Sequence, residues 1–457
     1  MAATVFNPVQ QHLLRMFAYD SSEEHLKEIK EVLAALNEVD LAEVLEELEV
    51  EKDMVRVFRL INKADAAATF SYLNPQLQET LISAFTENEL KQILDDMFLD
   101  DTVDLLEEMP ANVVERILGM TDKATRSEIN KLLNYPDDSA GSIMTVEYVD
   151  LRKTMTVGEA IQKIKRIGIA KETIYTCYVI ERKKLIGIVT AKDLLISNDD
   201  VLIEDIMETN IIAVDTYDDQ EDVANKFQKY GFIAIPVVDK EFCMVGIITH
   251  DDAMEVLQDE VEEDMSLMSA VLPSEDTYFG TSVFQHAKNR IVWLLVLMLS
   301  SAITGAIITK YEEAFAAVPL LVSFIPMLMG TGGNSGSQAS TLVIRGLAMD
   351  EIELKDFLKV AFKELRISLL CSSALAIVNG IRIFLTYKDF TLAILIAISI
   401  MATVIIAKLI GSMLPMLATK LKLDPAIMSA PLISTLVDTI SILVYFQFAT
   451  MLFGITM

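Results

Sequence analysis

Hydrophobic positions fall into three regimes along the chain. Through residues 21–130 they recur three and four apart: Leu41, Val44, Leu45 and Leu48; Leu90, Ile93, Leu94 and Met97; Val103, Leu105, Leu106 and Met109. That is the period of helices with one buried stripe. Asp40, Asn88 and Asp100 suit N-caps, so this stretch predicts a small superhelical bundle of short helices with acidic outer faces. In the middle, residues 157–166 and 220–230 keep a helical period. Each is followed by two β-rich runs, 174–180 with 185–190 and 233–238 with 245–249. Beyond Arg290 the pattern becomes long and apolar. Residues 291–308 are 18 positions without a charge and 315–344 are 30, followed by 367–381, 391–407 and 425–457. A span needs roughly 20 residues, so five spans are expected, the second with length left for a broken segment.

The middle regime is a repeat. Ser142-Ile143-Met144 is answered by Asp205-Ile206-Met207, and Leu185-Ile186-Gly187-Ile188-Val189-Thr190 with Asp193 by Met244-Val245-Gly246-Ile247-Ile248-Thr249 with Asp252. A repeated supersecondary unit outweighs any single motif, and this one resembles a tandem pair of CBS modules. In many such modules the Thr and Asp hold an adenosine ribose. The resemblance therefore implies a nucleotide site at Thr190 and Asp193, and at Thr249 and Asp252, against the alternative that the pair only dimerises and relays.

Charge sharpens the division. The chain carries 38 Lys+Arg and 67 Asp+Glu, of which residues 290–457 hold 12 and 10; the front is thus near −31 and the back near +2. So acidic a region repels nucleic acid and concentrates cations. Cys177, Cys243 and Cys371 are scattered, as are the four histidines, giving neither a zinc site nor a disulfide framework. Nothing reads as enzymatic: no nucleophile–base pair, closed metal cluster or phosphate loop is present. Residues 1–15 lack the apolar core of a secretory signal. Lys288, Arg290, Arg345, Lys355, Lys359, Lys363, Lys420 and Lys422 share one side of the membrane, with Lys310, Arg382 and Lys388 on the other. That distribution favours a cytoplasmic N-terminus and an outer C-terminus.

Two features in the apolar third carry chemistry. Asp438 is the one ionisable group between Pro425 and Met457, and an acid at that depth costs on the order of 3 kcal/mol. It faces an aqueous path or a cation, or else pairs with Lys408 or Arg366. Ser434 and Thr435 share its helical face, and Pro431, lacking an N–H, would leave the carbonyl of Ile427 free as a further oxygen ligand. The second feature is the run Pro326, Gly330, Gly332, Gly333, Asn334, Gly336 and Gln338. It must line a cavity or pack helix on helix, because loose polar backbone does not survive against lipid.

Together, the acidic helical front, the tandem CBS modules, five spans, P-x-L-x-G-T-G-G-N-x-G-x-Q at 326–338 and D-P-A-x-x-x-x-P-L-x-x-T-x-x-D at 424–438 resemble the MgtE family of magnesium channels, over nearly the whole chain. The resemblance implies a multidomain fold: an all-α superhelical N-terminal domain (1–135), an α/β CBS pair (136–200 and 201–258), a linker or plug helix (259–288) and a five-span pore domain (289–457). It implies a plasma-membrane homodimer with its pore on the two-fold axis, Asp438 from both subunits forming the selectivity site with backbone oxygen near Ser434. It also implies a Mg²⁺ sensor made of Asp100, Asp104, Asp252, Glu255, Glu260, Glu263, Asp264 and Asp424, so that Mg²⁺ is both transported ion and regulatory ligand, with ATP at a CBS module. The alternatives are a proton- or sodium-coupled divalent transporter using Asp438 as coupling acid, and a non-transporting membrane sensor.

Overall fold

The computed structural model describes residues 29–48, 50–274, 278, 280–311, 318–349, 351–428 and 430–454. The expectations for residues 1–28 and for the start of the 315–344 run lie outside the described residues. The chain divides into two compact units, Met1–Leu257 and Gln258–Met457.

The first unit opens with short helices α1 Glu38–Glu46, α2 Glu51–Phe58, α3 Lys63–Ser71, α4 Pro75–Ala84, α5 Glu87–Asp96, α6 Leu99–Glu108, α7 Ala111–Met120 and α8 Lys123–Leu132. The expected caps are displaced by a turn or less. Asn37 accepts from the Asp40 N–H, and Thr86 with Glu89 closes a capping box on α5, so Asp40 and Asn88 sit inside first turns. A short polar side chain on extended backbone takes the cap, and acids just inside it meet the positive end of the helix dipole. Asp100 is likewise inside α6, whose N-cap Phe98 has no capping side chain; the Leu99 N–H instead donates to Glu147 Oε2, 48 residues away, at 3.3 Å.

Each CBS copy is a three-stranded sheet, β1 Val149–Leu151, β2 Thr176–Glu181 and β3 Lys184–Thr190, then β4 Val214–Asp215, β5 Ala234–Val238 and β6 Met244–Thr249. The helices α9 Val157–Ile167, α10 Ala191–Ile196, α11 Ile203–Ile206 and α12 Gln220–Tyr230 pack with them. In both copies the first strand runs parallel to the second and the second antiparallel to the third, with a register shift at Val179/Ile180 and again at Val237/Val238. The first strands, three and two residues long, are too short to show alternation and escaped the sequence reading. The core is unevenly shared. Leu41, Phe70, Leu90 and Ile117 of the helical bundle join Ile235, Ile248 and Ala253 of the second module in one cluster, whereas Val149, Val157, Val189 and Leu194 of the first module form their own.

After β6, α13 His250–Met268 leads into the second unit. Its long helices are α14 Val283–Lys310, α15 Ile325–Ala348, α16 Phe357–Tyr387, α17 Phe390–Lys420 and α18 Ala430–Phe453, with short 3₁₀ turns at Pro319–Phe324 and Pro425–Ile427. All but α15 are long and apolar enough to cross a membrane. With 24 residues, α15 has a spanning length of about 36 Å at 1.5 Å per residue, but its glycine and polar run dilutes it. Pro431 falls in the first turn of α18, where a missing N–H costs nothing. The expectation that it frees an Ile427 carbonyl inside a helix is therefore corrected: Ile427 belongs to the preceding 3₁₀ turn.

Candidate ion pathway and acid cluster

The glycines of α15 bring two motifs together. A Cβ on Gly332 would stand 2.8 Å from Thr403 and Val437, one on Gly333 2.9 Å from Ser434 Oγ, and one on Gly336 2.7 Å from Ile433 and 3.2 Å from the Ala407 carbonyl. The helix lies against α17 and α18 at distances only glycine permits. The other half of the motif does something else. Pro326, Gly330, Asn334 and Gln338, spaced four apart, lie on the opposite face and are exposed within the chain, with nothing within 4 Å of a Cβ at Gly330. The expectation of one packed stretch thus divides into a packed face and an open polar face, because residues four apart repeat on one side of a helix.

Asp438 lies on α18, half-buried, one turn from Ser434. Its Oδ1 is buried without a hydrogen-bond partner. Among the described residues no basic nitrogen comes within salt-bridge distance of it, so neither Lys408 nor Arg366 pairs with it. Its neighbour Thr439 bonds Thr304 on α14 at 2.7 Å, and Thr435 Oγ1 donates to the Leu432 carbonyl. The hydroxyls of Thr435 and Thr439 are engaged while the carboxylate oxygen is not, which suits a group that receives a cation.

In the first unit, α6 and the start of α13 carry acids that face one another. Asp100 Oδ1 is buried without a partner, and burial holds its carboxyl well above the usual range, with Asp101, Asp252, Glu172 and Glu147 adding repulsion. Burial pushes Asp101 up to about 6, reinforced by Asp252, Glu147, Glu255 and Asp251. Asp104, at the rim, faces Asp101, Glu107, Asp252 and Glu255. Glu172 is pushed up to about 7, first by burial and then by Asp252 and Asp101, and its Oε2 has no partner. Burial also raises Asp252, against the lowering effect of its bond to Thr249. The fold thus brings Asp100, Asp104, Asp252 and Glu255 within electrostatic reach of one another. Asp101, Glu147 and Glu172 belong with them and were missed. Asp101 had a signal, since it shares a helical face with Asp104; Glu147 and Glu172 had none in sequence, being placed by the CBS fold. No three His, Cys, Asp or Glu side chains among the described residues converge closely enough for a ready-made metal centre, so ions held here would be held partly through water. Glu172→Gln should raise the melting temperature of the metal-free protein at pH 8 by a few degrees, about 1 kcal/mol, and shrink the further rise on adding Mg²⁺. Unchanged melting with and without Mg²⁺ would place Glu172 outside the cluster's electrostatics.

The second unit has a smaller acidic contact. Asp264 is pushed up to about 6 by burial, then by Asp424 and Glu263. Asp424 Oδ1 accepts from the Ala426 N–H at 2.7 Å. Beside it, Leu267 near the end of α13 packs with Ile344 of α15 and Ala426. Glu260 is half-buried on the same helix. The CBS pairs are first of all caps: Thr190 Oγ1 donates to Asp193 Oδ2 at 2.5 Å and Thr249 Oγ1 to Asp252 Oδ2 at 2.6 Å, each at the start of the helix that follows.

A bundle of membrane-length helices carrying buried carboxylates, joined to a CBS pair and an acid-rich helical domain, is the make-up of an integral membrane transporter of cations. Comparison with known proteins agrees. The family model described as a divalent cation transporter matches residues 325–448, that of the MgtE intracellular N domain 36–138, and the CBS model 140–197 and 203–259. The chain is similar to the magnesium transporter MgtE of Thermus thermophilus, 35% identical over 93% of this chain and 95% of that one, and to its counterpart in Bacillus subtilis, 33% identical over 93% and 94%. The solved soluble part of a magnesium transporter superposes with a TM-score of 0.50 at 30% identity, covering 55% of this chain and 98% of that one. The chain belongs to the MgtE family.

Proposed function

We propose that this protein is a magnesium channel that closes when magnesium binds its cytoplasmic acids. The observation that carries the reading is Asp438, a membrane acid with an unpartnered oxygen. Mg²⁺ sheds its waters reluctantly, so the carboxylate would hold a hydrated ion, with backbone oxygen near Ser434 assisting. The open polar face at Pro326, Gly330, Asn334 and Gln338 would be costly against lipid. That supports α15 as a fifth span and a homodimer in which a second copy faces that side across a water-filled pore. Two-fold symmetry then turns one acid into a facing pair.

Closure rests on the two acidic sites. Without a cation, repulsion among Asp100, Asp101, Asp104, Glu172, Asp252 and Glu255, and between Asp264 and Asp424, opposes the compact arrangement. Mg²⁺ binds that arrangement preferentially and shifts the population toward it. The helix α13 runs from His250, two residues before Asp252, to Met268, just past Leu267, so it is the natural plug, with Glu260 and Glu263 along it. We take the cytoplasmic region as 1–135, 136–200 and 201–258, the plug as 259–288 and the pore domain as 289–457, with the C-terminus outside. ATP would bind at Thr190 and Asp193, whose side chains bond each other in the first turn of α10. An enzymatic role is not part of this reading.

The test is Mg²⁺ flux in proteoliposomes, which should follow the electrochemical gradient without proton dependence and stop as cytoplasmic-side Mg²⁺ rises. Flux that requires a proton or sodium gradient would replace the channel by a coupled transporter. Absence of flux in an intact reconstitution would sink both. Acidification should imitate Mg²⁺. The compact state's raised carboxyls bind more protons than ordinary ones between about pH 4 and 7, so its metal-free stability falls as pH rises through that window. At pH 6, therefore, less Mg²⁺ should be needed to protect the cytoplasmic region from protease than at pH 8; a greater need at pH 6 would contradict the repulsion model.

A further inference from the structure

A second polar site lies at the other end of the membrane unit from Asp424. The turn before α15, the start of α15 and the end of α16 border an open groove of about 500 Å³ lined by Ser323, Phe324, Met327, Asn379, Arg382 and Tyr387. Arg382 is five residues from the end of α16, just past the uncharged stretch 367–381, at the level where a bilayer gives way to headgroups. Its guanidinium has unusually poor company. Nε donates to Asn379 Oδ1 at 3.0 Å and Nη2 to the thioether of Met327 at 3.4 Å. Among the described residues no carboxylate lies within salt-bridge distance.

A guanidinium is a planar fork of five donors matched to two oxygens of a phosphate, and a sulfur atom is a weak acceptor for it. The exposed Arg382 side chain lines this groove and leans on a thioether, so its remaining donors stay open to an incoming anion. The groove's own walls are amphipathic in the required sense. Phe324 and Met327 give an apolar side, Ser323, Asn379 and the Tyr387 hydroxyl a polar one, and Phe384 and Leu385 beside it are exposed.

We propose that Arg382 binds the phosphate of an anionic glycerophospholipid whose headgroup seats in this groove while its chains run down the exposed apolar surface of α16. A net negative headgroup fits better than a zwitterionic one, because the groove offers one cation and, among the described residues, no acid to receive an ammonium group. Since Pro326 of the open α15 face also lines the groove, a lipid held here would border the pore proposed above; the site itself does not depend on that pore.

The test uses the full chain, purified in detergent and delipidated, with bound lipid counted by native mass spectrometry. Phosphatidylglycerol should bind unmodified protein with one more lipid per chain than Arg382→Gln, a loss of at least tenfold in affinity at that site. Arg382→Lys, a point charge without the fork, should fall between. Phosphatidylcholine should bind the unmodified chain more weakly, and inorganic phosphate at millimolar concentration should not displace the lipid. Equal lipid counts in the unmodified protein and Arg382→Gln would overturn the proposal. Displacement by inorganic phosphate would make this a small-anion site and overturn the lipid assignment. Should Arg382→Gln fail to fold, the unmodified chain decides: equal thermal stabilisation by both lipids overturns the proposal, and preferential stabilisation by phosphatidylglycerol that is reduced in Arg382→Lys supports it.

Discussion

Asp438→Ala should abolish magnesium flux in proteoliposomes, a loss of at least about 100-fold, while the protein melts no lower than the unmodified chain. The two halves of this expectation come from one fact. An acid at bilayer depth costs on the order of 3 kcal/mol, and no basic group or hydrogen-bond donor among the described residues offsets that cost at Asp438 Oδ1. Alanine removes the cost, so folding is not impaired. A hydrated ion crossing at that level loses its charged partner, and about 3 kcal/mol of lost attraction is a factor of about 100. Asp438→Asn, with the same shape and no charge, should behave like alanine. A structural acid would give the reverse result: flux retained with unchanged selectivity, and stability lowered. Flux and melting measured on the same preparations separate the two.

Gly411→Ala is expected to cost about 3 kcal/mol or more and to leave little folded protein after solubilisation. A Cβ at Gly411 would sit 2.2 Å from the Gly336 carbonyl oxygen and 2.8 Å from its carbonyl carbon. Both are backbone atoms of a helix held on two sides, so the clash cannot be relieved by turning a side chain; α15 and α17 must separate. Separation would also open the contacts of Gly332 and Gly333 with α18. Gly330→Ala, on the open face with nothing within 4 Å, should leave the melting temperature unchanged within error. Size-exclusion profiles and thermal melts of the two variants make the comparison; equal behaviour would mean that the glycine seam does not hold the bundle.

The sequence made some of this legible and hid the rest for physical reasons. Helix α12 spans the residues its periodicity indicated, 220–230, because a strong amphipathic stripe with a glycine stop leaves little freedom. Asp438 stood out since a charge amid apolar residues has few explanations. What pairs with what did not stand out. Gly411 carried no mark in sequence, yet it makes the tightest contact on Gly336. Glu147 and Glu172 lie outside any acidic run and reach the cluster only because the CBS fold carries them there. The short parallel strands β1 and β4 are likewise fixed by tertiary pairing and not by pattern.

The bond from Leu99 N–H to Glu147 bears on stoichiometry. One carboxylate of the cluster is already committed as counter-charge to the helix that carries Asp100, Asp101 and Asp104, and Asp252 is partly committed to Thr249. The capacity for magnesium proposed for this cluster is therefore smaller than its roll of acids. On the proposed reading, fewer ions than acids would be needed to neutralise it.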